Sequence, residues 1–74
     1  MKIAKNLRIL RNRAKLSQQE VADILIIDRK TYANWESEKT ESSARHIPEL
    51  AKIFNVEIAV LFEEEINTVE DSLK

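Results

Sequence analysis

The chain has 74 residues, 12 Lys and Arg against 13 Asp and Glu, a net charge of −1, and neither cysteine nor glycine. A chain of this length forms one small domain, residues 1–74, burying only about 60% of its unfolded surface. Lack of cysteine excludes disulfides, thiolate zinc sites and cysteine nucleophiles. No apolar run reaches the ~20 residues of a membrane span, and the opening MKIAKNLRIL is too short and too charged for a secretory signal, so the expectation is a cytoplasmic protein with no membrane partner.

Ile3, Leu7, Leu10 and Ala14 recur at intervals of four, three and four, which predicts a first helix with one buried stripe. Ser17-Gln18-Gln19-Glu20 has the form of a capping box: the serine hydroxyl accepts from the backbone NH three residues on, and the glutamate reaches back. Val21, Ala22 and Leu25 then give a short second helix its inner face. Asp28 is the next cap candidate, and its charge complements the positive end of a helix dipole. The third helix is expected from about Arg29 to Glu36, with Tyr32 and Trp35 on one side and Arg29, Lys30, Ala33 and Asn34 on the other.

Residues 37–45, SEKTESSAR, are polar and lack regular apolar spacing, so they read as a surface loop. Pro48 fits the first turn of a fourth helix, where its missing NH is harmless. Ile47, Leu50, Ala51 and Phe54 would be that helix's buried face, and Asn55 sits where helices often end in a left-handed residue. A fifth helix starts near Ile58. Its Phe62, Ile66, Val69 and Leu73 repeat at four, three and four, predicting a helical extension over about 58–73. Period-two alternation is nearly absent. The fold class is therefore all-α, with five helices.

Two short helices joined by three or four residues, each with its own cap, describe a helix-turn-helix over about residues 17–36. In that unit the second helix lies in the major groove of DNA. The charge agrees: residues 1–39 carry nine Lys/Arg against five Asp/Glu, while residues 40–74 carry three against eight. One basic half points to one face offered to a polyanion.

The residues "LR" at Leu10-Arg11, "LSQQEVA" from Leu16, "DRKTYANWE" from Asp28 and "IPELAKIFNV" from Ile47 resemble one known family. It is the phage-repressor and Cro-type helix-turn-helix proteins, also called the xenobiotic response element family, and the likeness runs from about Leu7 to Phe62. The resemblance implies a compact, lambda-repressor-like five-helix domain of a prokaryotic or phage regulator, usually a homodimer on a two-fold operator. It matches Arg29, Lys30 and Asn34 to base-reading positions, and Gln18, Thr31, Ser37 and Lys39 to positions that hold the DNA backbone. Arg45, in the polar loop, is expected to join the backbone contacts. Arg11 and Glu36 match a partly buried structural ion pair.

The chemistry of those side chains fits independently. Arg and Lys donate to guanine O6 and N7, and Asn pairs with adenine. Hydroxyls and lysine suit phosphate, which fixes register without reading sequence. Other positions have blander readings. Trp35 and Tyr32 belong to the core rather than to a base stack, and His46, with no partner cluster, belongs on the surface. Glu63-Glu64-Glu65 is a solvated face, because three adjacent helical residues cannot all point at one ion. No nucleophile–base pair, metal-ligand spacing or glycine-rich phosphate loop is present, so neither an enzyme nor a cofactor is expected.

Two departures from the family pattern stand out. Glycine is usual at the position of Ile26, where a left-handed backbone is needed. The turn is expected to be kept, at a strain of roughly 1–3 kcal/mol. The pI near 5.8 is low for a DNA-binder, so non-specific affinity should be modest and steeply salt-dependent. Ile58, Phe62, Ile66 and Val69 form an apolar stripe that docking onto a second copy, or back onto helix one, would bury; the expectation is that it helps form a homodimer seam. The competing functions are an antitoxin or restriction-modification controller of the same fold, or a protein-interaction module that has lost DNA binding.

Overall fold

A computed structural model describes residues 3–64 of the chain. Among them all regular structure is helical: α1 Ala4–Arg13, α2 Gln18–Leu25, α3 Arg29–Glu36, a single 3-10 turn Ala44–His46 running into α4 Ile47–Ile53, and α5 Ile58–Leu61. One core takes Ile3, Leu7 and Leu10 from the first helix and its start, and Val21, Ala22 and Leu25 from α2. Tyr32 and Trp35 enter it from α3, Ile47, Leu50, Ala51 and Phe54 from α4, and Leu61 from α5. Each large apolar side chain buried this way contributes about 1.5–3 kcal/mol. The 3.6-residue spacing of these positions is why each helix has one inner face.

Two expectations about helix ends need correction. Ala14 does not belong to the stripe; α1 has ended one residue earlier, and Ala14 is its exposed C-cap. The fifth helix does not run on from Ile58 as one rod either. It closes at Leu61 with Phe62 as its cap. That end is held from α1, where the 3%-exposed Asn6 donates both amide hydrogens across the core, to the Leu61 carbonyl at 2.9 Å and the Glu63 carbonyl at 2.7 Å. Carbonyls at a helix end need partners, and a side chain from another helix supplies them here. Ile66, Val69 and Leu73 lie outside the described residues.

How helices end in a chain without glycine is the unusual part of this fold. Left-handed backbone occurs at Lys15 (φ 60°), Ile26 (φ 59°), Glu38 (φ 66°) and Asn55 (φ 54°), just after α1, α2, α3 and α4 in turn. At each, the next residue's NH returns to a carbonyl five residues back: Leu16 to Arg11 at 3.1 Å, Ile27 to Ala22 at 3.0 Å, Lys39 to Asn34 at 3.0 Å and Val56 to Ala51 at 2.9 Å. This is the Schellman closure, which normally uses glycine at the left-handed residue. Leu16, Ile27 and Val56 also pack against the core, which offsets the local strain.

Candidate nucleic-acid interface

The capping box forms as the sequence requires. Ser17 Oγ accepts from the Glu20 NH at 3.0 Å, and Glu20 Oε1 accepts from the Ser17 NH at 2.8 Å. α2 then ends at Ile26 (φ 59°, ψ 49°), so the turn is kept despite the β-branched residue. Asp28 starts α3 with extended backbone, φ −69°, ψ 144°, but its side chain makes no capping hydrogen bond.

α3 is divided lengthwise. Tyr32, Trp35 and Glu36 are buried, whereas Arg29, Lys30 and Thr31 are exposed and Ala33 and Asn34 half-buried. Tyr32 and Trp35 meet edge to face, ring centres 5.8 Å apart and planes at 64°, an arrangement that aromatic quadrupoles favour. The two rings anchor the helix and leave a guanidinium, an ammonium and a carboxamide along its outer side.

A carboxylate inside the fold locks this orientation. Arg11 Nε donates to Glu36 Oε2 at 2.7 Å, and Arg11 Nη2 to Glu36 Oε1 at 3.1 Å. The two side chains are 13% and 4% exposed. Arg11 Nη1 also donates to the Leu16 carbonyl at 2.8 Å, holding the turn between α1 and α2. Gln18 Nε2 donates to Glu36 Oε1 at 3.1 Å, so the start of α2 is tied to the end of α3. Burial pushes the Glu36 carboxyl up, but the Arg11 hydrogen bond, with the Tyr32 hydroxyl and the Gln18 amide, outweighs it and holds the group below its usual range. The hydrogen bond to Glu36 raises the Arg11 guanidinium further. Burial, then the neighbouring Glu36, pushes the Tyr32 phenol up; its oxygen is enclosed and has no well-aligned hydrogen-bond partner.

The expected backbone-contact residues are less uniform than the reading face. Thr31, Lys39 and Arg45 are exposed. The Ser37 hydroxyl donates to the Asn34 carbonyl at 3.3 Å, closing the end of α3. Gln18 is half-buried, with one amide hydrogen committed to Glu36 and the other left over. Ile58 and Phe62 are 46% and 42% exposed, while Ile66 and Val69 of the expected seam lie outside the described residues.

His46 corrects its expectation: it is half-buried, its ring centre 5.6 Å from that of Trp35, with Nδ1 enclosed and unpartnered. Sequence reading also missed the Gln18–Glu36 bond. Its signal was available, because a carboxylate offers more acceptor sites than one arginine fills. Among the described residues no group of His, Cys, Asp or Glu could hold a metal ion, and no helix is long and apolar enough to cross a membrane.

The family model for helix-turn-helix domains matches residues 7–61 of the chain. No curated protein and no solved structure matches it.

Proposed function

The chain belongs to the phage-repressor and Cro-type helix-turn-helix family, and from that premise we propose that it is a sequence-specific regulator of transcription, a dimeric repressor that reads the major groove of double-stranded DNA with α3. The observation that carries this reading is the division of α3 itself. An aromatic pair and the Glu36 hub fix its inner side, so that Arg29, Lys30 and Asn34 project from a rigid element. Arg29 and Lys30 donate to guanine and Asn34 pairs with adenine, while Thr31, Ser37, Lys39 and Arg45 meet the sugar-phosphate backbone. Gln18 presents its remaining amide hydrogen to a phosphate. Ile58 and Phe62, apolar and exposed, form the part of the dimer seam that lies within the described residues.

The test is selection of duplexes bound from a random pool, followed by salt titration of the winners. A regulator of this kind enriches two copies of one short sequence at a fixed separation, and its affinity falls steeply as salt rises. Failure to enrich any sequence, with negligible duplex binding at low salt, overturns the proposal. Sedimentation showing a monomer at high micromolar concentration removes the dimer from it.

A further inference from the structure

Asp28 brings an acceptor-only group to the reading end of α3. It stands immediately before Arg29, and an N-cap aspartate would ordinarily close the helix start by accepting from a backbone NH in the first turn. Here it does not: the side chain makes no capping bond, is exposed, and has no side-chain partner among the described residues. The contrast with its surroundings is sharp. Ser17 caps α2 reciprocally with Glu20, and Asp23, which lines the same shallow depression as Ile26, Asp28 and Thr31, accepts from Gln19 Nε2 at 2.8 Å. Of the two carboxylates in that depression, only Asp28 is uncommitted.

Resting on the DNA-reading function proposed above, we infer that Asp28 is a specificity-determining residue that accepts a hydrogen bond from the N4 amino group of a cytosine in each half-site. The first residues of a recognition helix are the ones that reach base edges. A carboxylate there has nothing to donate, so it is repelled by guanine O6 and N7, by thymine O4 and by every phosphate. Adenine offers an amino group, but it lies between its own N7 and the O4 of the paired thymine. The cytosine amino group has an acceptor on one side only, the O6 of the paired guanine, so it is the major-groove donor a carboxylate approaches with least repulsion. The same charge works against non-specific binding, since it opposes the phosphate attraction that Arg29, Lys30 and Lys39 supply. Asp28 thus favours one base and penalises generic DNA, the two halves of a specificity device.

The experiment compares the wild type with Asp28→Ser and Asp28→Asn in the random-pool selection, with thermal denaturation alongside. Serine and asparagine are as good at a helix start as aspartate, so a purely structural role leaves both melting and selected sequence unchanged. The inference expects the wild type to select cytosine at one position per half-site, and both variants to keep their melting temperature. Asp28→Ser should lose the cytosine preference by about tenfold and bind random duplex more tightly than the wild type. A measurement needing no variant repeats the test. N4-methylcytosine at the selected position keeps base pairing but blocks the major-groove donor, and should weaken wild-type binding by about tenfold. Retained cytosine preference in Asp28→Ser, or indifference to N4-methylcytosine, overturns the inference while leaving the DNA-reading function intact. A wild type that selects no sequence sinks that function first, and this inference with it.

Discussion

Ile26 points its side chain almost wholly into solvent, at 89% exposure, while its backbone holds a left-handed conformation that suits glycine. The strain of that conformation for an L-residue is roughly 1–2 kcal/mol, and no packing is lost if the side chain is removed. Glycine there gives back about 0.5–1 kcal/mol through the extra freedom of the unfolded chain. Ile26→Gly should therefore stabilise the fold by about 0.5–1 kcal/mol, seen as a rise of several degrees in the melting temperature. An unchanged or lowered melting temperature would mean that the isoleucine side chain makes a stabilising contact. Asn34 is the residue-scale counterpart on the reading face. Asn34→Ala should weaken binding to the selected site by about 1–3 kcal/mol and relax preference at one base pair, with melting nearly unaffected. Parallel selections with both proteins decide it, and an unchanged preference would move the reading face elsewhere.

At the scale of elements, Glu36 joins three helices by accepting from Arg11 on α1 and Gln18 on α2 while sitting at the end of α3. Arg11→Met leaves that carboxylate buried and short of its main partner, which should destabilise the domain by about 3 kcal/mol. Sequence preference of the folded fraction should be untouched, and urea denaturation beside the selection assay reads both. The pH dependence follows from the same group. Glu36 titrates below its ordinary 4.5 in the folded chain, so its contribution is complete above that value and is lost as pH falls through the lower, folded one. Melting temperature followed from pH 6 downward should drop through the acid range, and the drop should be smaller in Glu36→Gln.

Much at this scale was legible in the sequence. Helical spacing placed α2, α3 and α4, and the capping box fixed where α2 begins. The Arg11–Glu36 pair came from the family resemblance, not from spacing. The left-handed ends at Ile26 and Asn55 could be anticipated, one from the missing glycine and one from asparagine's tolerance. Those at Lys15 and Glu38 could not, because neither residue type signals that backbone; only the apolar Leu16 after Lys15 hints at a Schellman closure. The break at Phe62 was hidden for a different reason. The apolar repeat through 58–73 has helical spacing, and the partner that meets the end of α5 is Asn6, 55 residues away in sequence from Leu61. The half-burial of His46 against Trp35 is likewise a tertiary contact with no local mark.

For the whole molecule, charge is divided along the chain. Exposed Arg29, Lys30 and Lys39 lie in and just after α3, whereas exposed Glu57, Glu63 and Glu64 flank the apolar Ile58 and Phe62 in sequence. The proposed function requires that the outer side of α3, and not this acidic segment, meet DNA. Backbone amide NMR shifts of the protein, followed as a selected duplex is added at low salt, separate the two. The largest changes are expected at Gln18, Asp28 to Thr31, Asn34, Ser37 and Lys39, with Glu57 to Glu64 moving only as far as dimerisation requires. Changes confined to the α5 end, or spread evenly through the core with α3 no different from the rest, would contradict it.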